Sequence, residues 1–136
     1  MAFIKCSGGG KLKETVLWTN PDATVGFSGQ TITLDYGGVT HDIDNYDYIS
    51  INWDVNKTTG NNIRIYFTPK DLKTSTESTT GNSNIVFCAR YSTNTAYARQ
   101  LFYKSNTTLK ITTSYNLGKE GTTTNYAIPT KISGWK

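Results

Sequence analysis

Eight short runs in which apolar and polar residues alternate, joined by loops of Thr, Asn, Gly and Ser, constrain this chain more than any other feature. Successive side chains of a strand point to opposite sides of its sheet, so a period of two marks a half-buried strand. Residues 47–55 show it most clearly: Ile49, Ile51, Trp53 and Val55 fall on one face, and Tyr48, Ser50, Asn52 and Asp54 on the other. The other runs are residues 14–19, 31–36, 63–68, 84–91, 98–104, 107–115 and 125–132. Helical periodicity is nowhere sustained over the ten or so residues that an amphipathic helix needs. Short strands at this spacing predict an all-β fold, an antiparallel β-sandwich of jelly-roll-like character.

The breaks between runs have their own chemistry. Asn20-Pro21 stops the first strand, because proline lacks a ladder donor and restricts the residue before it. Gly37-Gly38 stops the second, and residues 57–62 read as the turn of a hairpin leading into residues 63–68, which Pro69 ends. Residues 70–83 read as a long Ser/Thr-rich loop, and Ser105-Asn106 as a tight turn. Pro129 predicts an edge position or a bulge for the last strand. Ahead of the strands, residues 1–13 read as a leader whose Ser7-Gly8-Gly9-Gly10 has the composition of a flexible linker. The expected organisation is therefore a leader over 1–13 and one β-sandwich domain over 14–136.

At 136 residues the chain is one domain's worth, large enough to bury a core without covalent staples. Lys and Arg outnumber Asp and Glu by 14 to 10, a mild excess scattered from Lys5 to Lys136 rather than gathered in a stripe, so no nucleic-acid partner is expected. Cys6 and Cys88, one in the leader and one in a strand, read as two free thiols rather than a disulfide framework. The first residues lack the apolar stretch of a signal peptide and nothing approaches a membrane span, so no membrane insertion is expected. The sequons at Asn56 and Asn106 read as chance products of an Asn/Thr-rich composition.

No catalytic constellation is recognisable, so the chain is read as a non-enzymatic binding or assembly domain that needs no cofactor. Asp42, Asp44 and Asp47 begin like a calcium loop, but the glycine at its sixth place and the bidentate glutamate at its twelfth are missing. A polar turn is the main reading there, with a calcium site as the alternative. His41, the only histidine, has no Ser or Cys partner in any motif and reads as a loop residue. Trp53 shares the face of Ile49 and Ile51 and belongs to the core; Trp18 reads as half-buried; Trp135 is the freest of the three, or locks the last strand onto a neighbour. Tyr48, Asn52, Arg64, Tyr66 and Trp135 are the contact candidates, because polar and aromatic mixtures suit sugar or protein surfaces alike.

Three stretches carry a family resemblance. They are Val16-Leu17-Trp18-Thr19-Asn20-Pro21 with Phe27-Ser28-Gly29-Gln30-Thr31-Ile32-Thr33-Leu34, then Tyr46 to Ile51, then the ending Tyr126-Ala127-Ile128-Pro129-Thr130-Lys131-Ile132-Ser133-Gly134-Trp135-Lys136. In this order they resemble the C-terminal domains of tail-fibre and receptor-binding proteins of phages and prophages of Gram-positive gut bacteria. The resemblance implies a β-rich virion domain, commonly trimeric, adhering to host cell-surface glycan. Such domains end longer fibres, whereas here a short leader precedes the strands. That points to a tail tip, a head-fibre or a decoration subunit, with Cys6, Gly8, Gly9, Gly10 and Lys11 attaching it to other virion proteins. A capsid-decoration or baseplate role without receptor binding is one alternative, and a carbohydrate-active depolymerase is another.

Overall fold

A computed structural model describes residues 11–60, 62–77, 85–92, 95–117 and 121–136, with the backbone alone for 90–92. Among them the chain forms β1 (Glu14–Thr19), β2 (Gln30–Thr33), β3 (Asp35–Tyr36), β4 (Val39–Thr40), β5 (Tyr48–Asn56), β6 (Ile63–Phe67), α1 (Pro69–Lys73), β7 (Ile85–Ser92), β8 (Thr95–Ser105), β9 (Thr108–Ile111), β10 (Ser114–Asn116), β11 (Thr122–Thr123) and β12 (Tyr126–Trp135). Every pairing is antiparallel. The fold is the all-β sandwich that the alternation predicts.

The first sheet runs β1-β12-β5-β6. The second is built on β8: Leu101 pairs with Ile85 of β7 on one side and Ile111 of β9 on the other, while Ala98 pairs with Cys88 and Tyr115. Thus β9 and β10 share one edge of β8, and β2 and β11 lie outside them. Between the sheets Leu17, Leu34, Ile43, Ile49, Ile51, Phe87, Leu101, Ile111, Ile128 and Ile132 are buried. The Trp53 ring meets Phe87 of the opposite sheet at 5.1 Å, and its indole N–H donates to the Cys88 carbonyl at 2.9 Å. Full burial of each such side chain is worth about 1.5–3 kcal/mol, which makes this layer the main source of stability.

Three local features depart from the sequence expectation. Gly37-Gly38 stops the strand at Tyr36 as expected, but does so as the tip of an additional β3–β4 hairpin, with both residues at positive φ, as a tight two-residue hairpin turn requires. The 70–83 loop opens with α1, where Pro69 takes the first turn, the Thr68 hydroxyl accepts the Asp71 N–H at 3.1 Å and Leu72 is buried. One turn is too short to show a period; residues 78–83 of that loop lie outside the described residues. Pro129, by contrast, sits at a bulge in the β12–β5 pairing, one of the two placements the sequence predicts for it, although β12 itself is interior rather than an edge strand. The Pro129 carbonyl accepts from the Asn20 side chain at 3.0 Å.

The third departure splits the 107–115 run into β9 and β10. At Thr112 the hydroxyl, not the carbonyl, accepts the Gln100 N–H, at 2.9 Å. The freed Thr112 carbonyl accepts from Nη1 of Arg99 at 2.8 Å. Arg99 is fully buried and also donates to the carbonyls of Thr124, Tyr126 and Ala127 while its guanidinium lies 5.3 Å from the Phe27 ring. Burial draws its pKa down to about 10, which leaves the cation intact at neutral pH. One side chain thereby fastens the β9–β10 break to the start of β12.

Candidate functional site

The pairing of β1, β12, β5 and β6 decides which side chains share the outer face of the first sheet. Glu14 lies opposite Trp135 and Trp135 opposite Tyr48; Val16, Ser133, Ser50 and Tyr66 form a second row; Lys131, Asn52 and Arg64 form a third. All five contact candidates, Tyr48, Asn52, Arg64, Tyr66 and Trp135, therefore occupy one surface. The strand alternation places them there by sending Ile49, Ile51 and Trp53 the other way, into the core.

Their geometry is specific. Nε of Arg64 donates to Oδ1 of Asn52 at 3.1 Å and Nη1 donates to the Tyr66 hydroxyl at 3.1 Å. The guanidinium carbon lies 5.3 Å from the Trp135 ring centre and 5.9 Å from that of Tyr66, within cation–π range. Tyr66 and Trp135 meet edge to face at 5.8 Å. The indole N–H of Trp135 donates to the Ser50 hydroxyl at 2.8 Å, so the tryptophan that sequence reads as the freest is pinned to β5.

Asn52 corrects the sequence reading. It is only 1% exposed, because the long side chain of Arg64 lies over it, and its amide donates to Oδ1 of Asn62 at 2.7 Å. It orients Arg64 rather than meeting a ligand. Ser50 and Ser133 are likewise buried on this nominally outer face. Beside them Ser133 donates to Oε1 of Glu14 at 2.7 Å and Lys131 pairs with the same oxygen at 2.9 Å. The Lys131 hydrogen bond is the chief reason the Glu14 carboxyl sits below its ordinary value. Sequence alone does not single out Glu14, Lys131, Ser50 and Ser133, since their convergence depends on the register of β12 between two strands distant from it in the chain.

The remaining candidates are scattered. Asp42 caps a short turn by accepting the Asp44 N–H at 2.8 Å. Asp44 is taken by Lys73 at 2.6 Å and by the Asn106 amide at 2.9 Å, while Asp47 is exposed. The three carboxylates thus do not form the calcium loop that their spacing suggests, and no three His, Cys, Asp or Glu side chains converge among the described residues. The Lys73 hydrogen bond holds the Asp44 carboxyl below its usual range. Nδ1 of His41 meets the Tyr46 hydroxyl at 3.1 Å.

In the leader, Cys6, Gly8, Gly9 and Gly10 lie outside the described residues and Lys11 is exposed. Lys13, assigned to the leader by sequence, exchanges both backbone hydrogen bonds with Lys136 and so extends the β1–β12 ladder. Cys88 is a free thiol on β7 whose pKa burial pushes up. Two grooves open elsewhere, one of about 370 Å³ beside Trp18, Val25 and Phe27 and one of about 180 Å³ beside Lys57, Asn125 and Tyr126. No helix among the described residues is long and apolar enough to cross a membrane. No family model matches the chain, and neither a curated protein nor a solved structure is significantly similar to it.

Proposed function

We propose that this chain is a phage virion surface domain, at a tail tip or fibre end, that binds host cell-surface polysaccharide through the outer face of the β1-β12-β5-β6 sheet. The observation that carries the binding assignment is the stack of Arg64, Tyr66 and Trp135, held against the strands by Asn52 and Ser50. Aromatic rings present apolar area to the C–H faces of sugar rings, and an oriented guanidinium meets their oxygens. Because strands carry the site and buried polar groups fix its rotamers, little ordering entropy is lost when a ligand docks. The virion placement rests on the sequence resemblance.

A homotrimer is part of the same proposal. Among the described residues β6 and β7 each pair on one side only, and unpaired strand edges favour association into a closed ring. Three copies would let weak sugar contacts act together. The test is adsorption of the purified protein to host cell-wall polysaccharide, with light scattering to follow assembly. Trp135→Ala and Tyr66→Ala are expected to weaken adsorption at least tenfold while molar mass is unchanged. Wild-type adsorption by both variants would refute the assignment. Loss of assembly in both would favour a structural subunit instead, and turnover of the polysaccharide that disappears on carboxylate replacement would favour a depolymerase.

A further inference from the structure

We infer that the glycan taken by this face carries an anionic group, a carboxylate or a phosphate, and that Arg64 receives it; the inference rests on the polysaccharide-binding reading above. A guanidinium presents five N–H donors in a planar fork. On Arg64 one is used by Asn52 and one by Tyr66. Among the described residues no carboxylate lies within ion-pair distance of it, whereas each of the ion pairs found there uses a lysine. Glu14 on the same face is held by Lys131 and Ser133 and acts on Arg64 only at longer range. Asp54, on the same strand as Asn52, accepts the Asn62 N–H at 3.0 Å.

The protein therefore positions a cation with care and, among the described residues, gives it no direct ion-pair partner. Asn52, 1% exposed and fixed by Asn62, locks the Nε edge. Tyr66 and Trp135 fix the plane. What remains is three guanidinium donors beside an aromatic ring, which matches a sugar whose acidic substituent accepts from the fork while its ring lies on Trp135. Glu14 opposes an incoming anion, but its charge is balanced by Lys131, and the formal net charge of the chain is +4. A neutral glycan would leave these donors no better matched than water does.

The test titrates D-glucuronate, glycerol 3-phosphate, inorganic phosphate and D-glucose separately into the full-length chain. The indole N–H of Trp135 is followed by ¹⁵N NMR and assigned with Trp135→Phe. Glucuronate, glycerol phosphate or both are expected to shift this signal at concentrations where glucose does not, and which of them acts identifies carboxylate or phosphate as the source. Arg64→Gln should weaken that response at least tenfold, Arg64→Lys less, and 0.5 M salt should weaken it in the wild type (about a 4 Å Debye length against about 10 Å at 0.1 M). Equal responses to glucose and glucuronate, unchanged in Arg64→Gln, would overturn the anionic preference while keeping a sugar site. A response to inorganic phosphate that equals every other probe would overturn it as well, because no glycan part would then be read. No response to any probe would overturn both the preference and the polysaccharide reading.

Discussion

Replacing Arg99 by Met tests how the sandwich is closed. The substitution keeps most of the apolar stem beside Phe27 and removes every donor. The Thr124 carbonyl retains a second donor, the Phe27 N–H at 2.9 Å. The loss therefore falls chiefly on the carbonyls of Thr112 and Ala127, which accept from Arg99 at 2.8 and 2.7 Å. A buried acceptor left unsatisfied costs about 1–3 kcal/mol. Relief from burying a charge offsets part of this, so the net loss should be about 3 kcal/mol. Unfolding entropy of about 2 cal/mol/K per residue gives this chain about 0.3 kcal/mol per degree at its midpoint, so Tm should fall by about 10 °C. Thermal unfolding by circular dichroism and urea unfolding by tryptophan fluorescence would read this, with Lys104→Met as the surface control. Arg99→Lys should recover less than half, since a point ammonium cannot span the β9–β10 break and β12 at once. A loss below about 1 kcal/mol in Arg99→Met would refute the reasoning, because the carbonyls would then find other partners at little cost.

Two further outcomes follow from the geometry. A methyl group on Gly134 would overlap the Tyr46 ring, so Gly134→Ala should cost about 2–3 kcal/mol and much less in a Tyr46→Ala background; additive losses in the double variant would refute the packing account. The folded Glu14 carboxyl ionises below its ordinary value of 4.5. The unfolded chain therefore binds more protons in that window, and this contribution is present above about pH 4.5 and lost as pH falls through the folded pKa. Urea titrations between pH 3 and 6 should show a shallower acid loss for Glu14→Gln than for the wild type, and identical slopes would count against the Lys131 and Ser133 contacts.

The parts of this structure legible in the sequence are those encoded by neighbours along the chain. The β5 alternation predicts Trp53 in the core and Tyr48, Asn52, Arg64 and Tyr66 on one outward surface, because strand geometry is local and the β5–β6 hairpin joins consecutive segments. Trp135 joins that surface only through the β12 register, which no local rule supplies. Asn52 is assigned to the correct face but to the wrong exposure, because the covering side chain comes from another strand. Arg99 gives no signal: an arginine in an alternating run normally reads as a solvent-facing residue, and its carbonyl partners come from residues 13 to 28 positions away. The polar-turn reading of residues 42–47 prevails over the calcium alternative because carboxylates also make good turn caps and ion-pair partners, and here Asp42 does the first and Asp44 the second.

β12 comes last among the strands along the chain yet sits inside the first sheet, between β1 and β5. During synthesis β1 and β5 therefore emerge without the neighbour that joins them, and their facing edges stay open until residues 126–135 have left the ribosome. Vectorial folding of this sheet is impossible; closure is a late, long-range event, slow in the manner of non-local β topologies. Until then the nascent chain exposes the edges that invite wrong partners. A ribosome that stalls a dozen codons short of Lys136 would leave not a trimmed domain but an unclosed one, a substrate for chaperones and proteases.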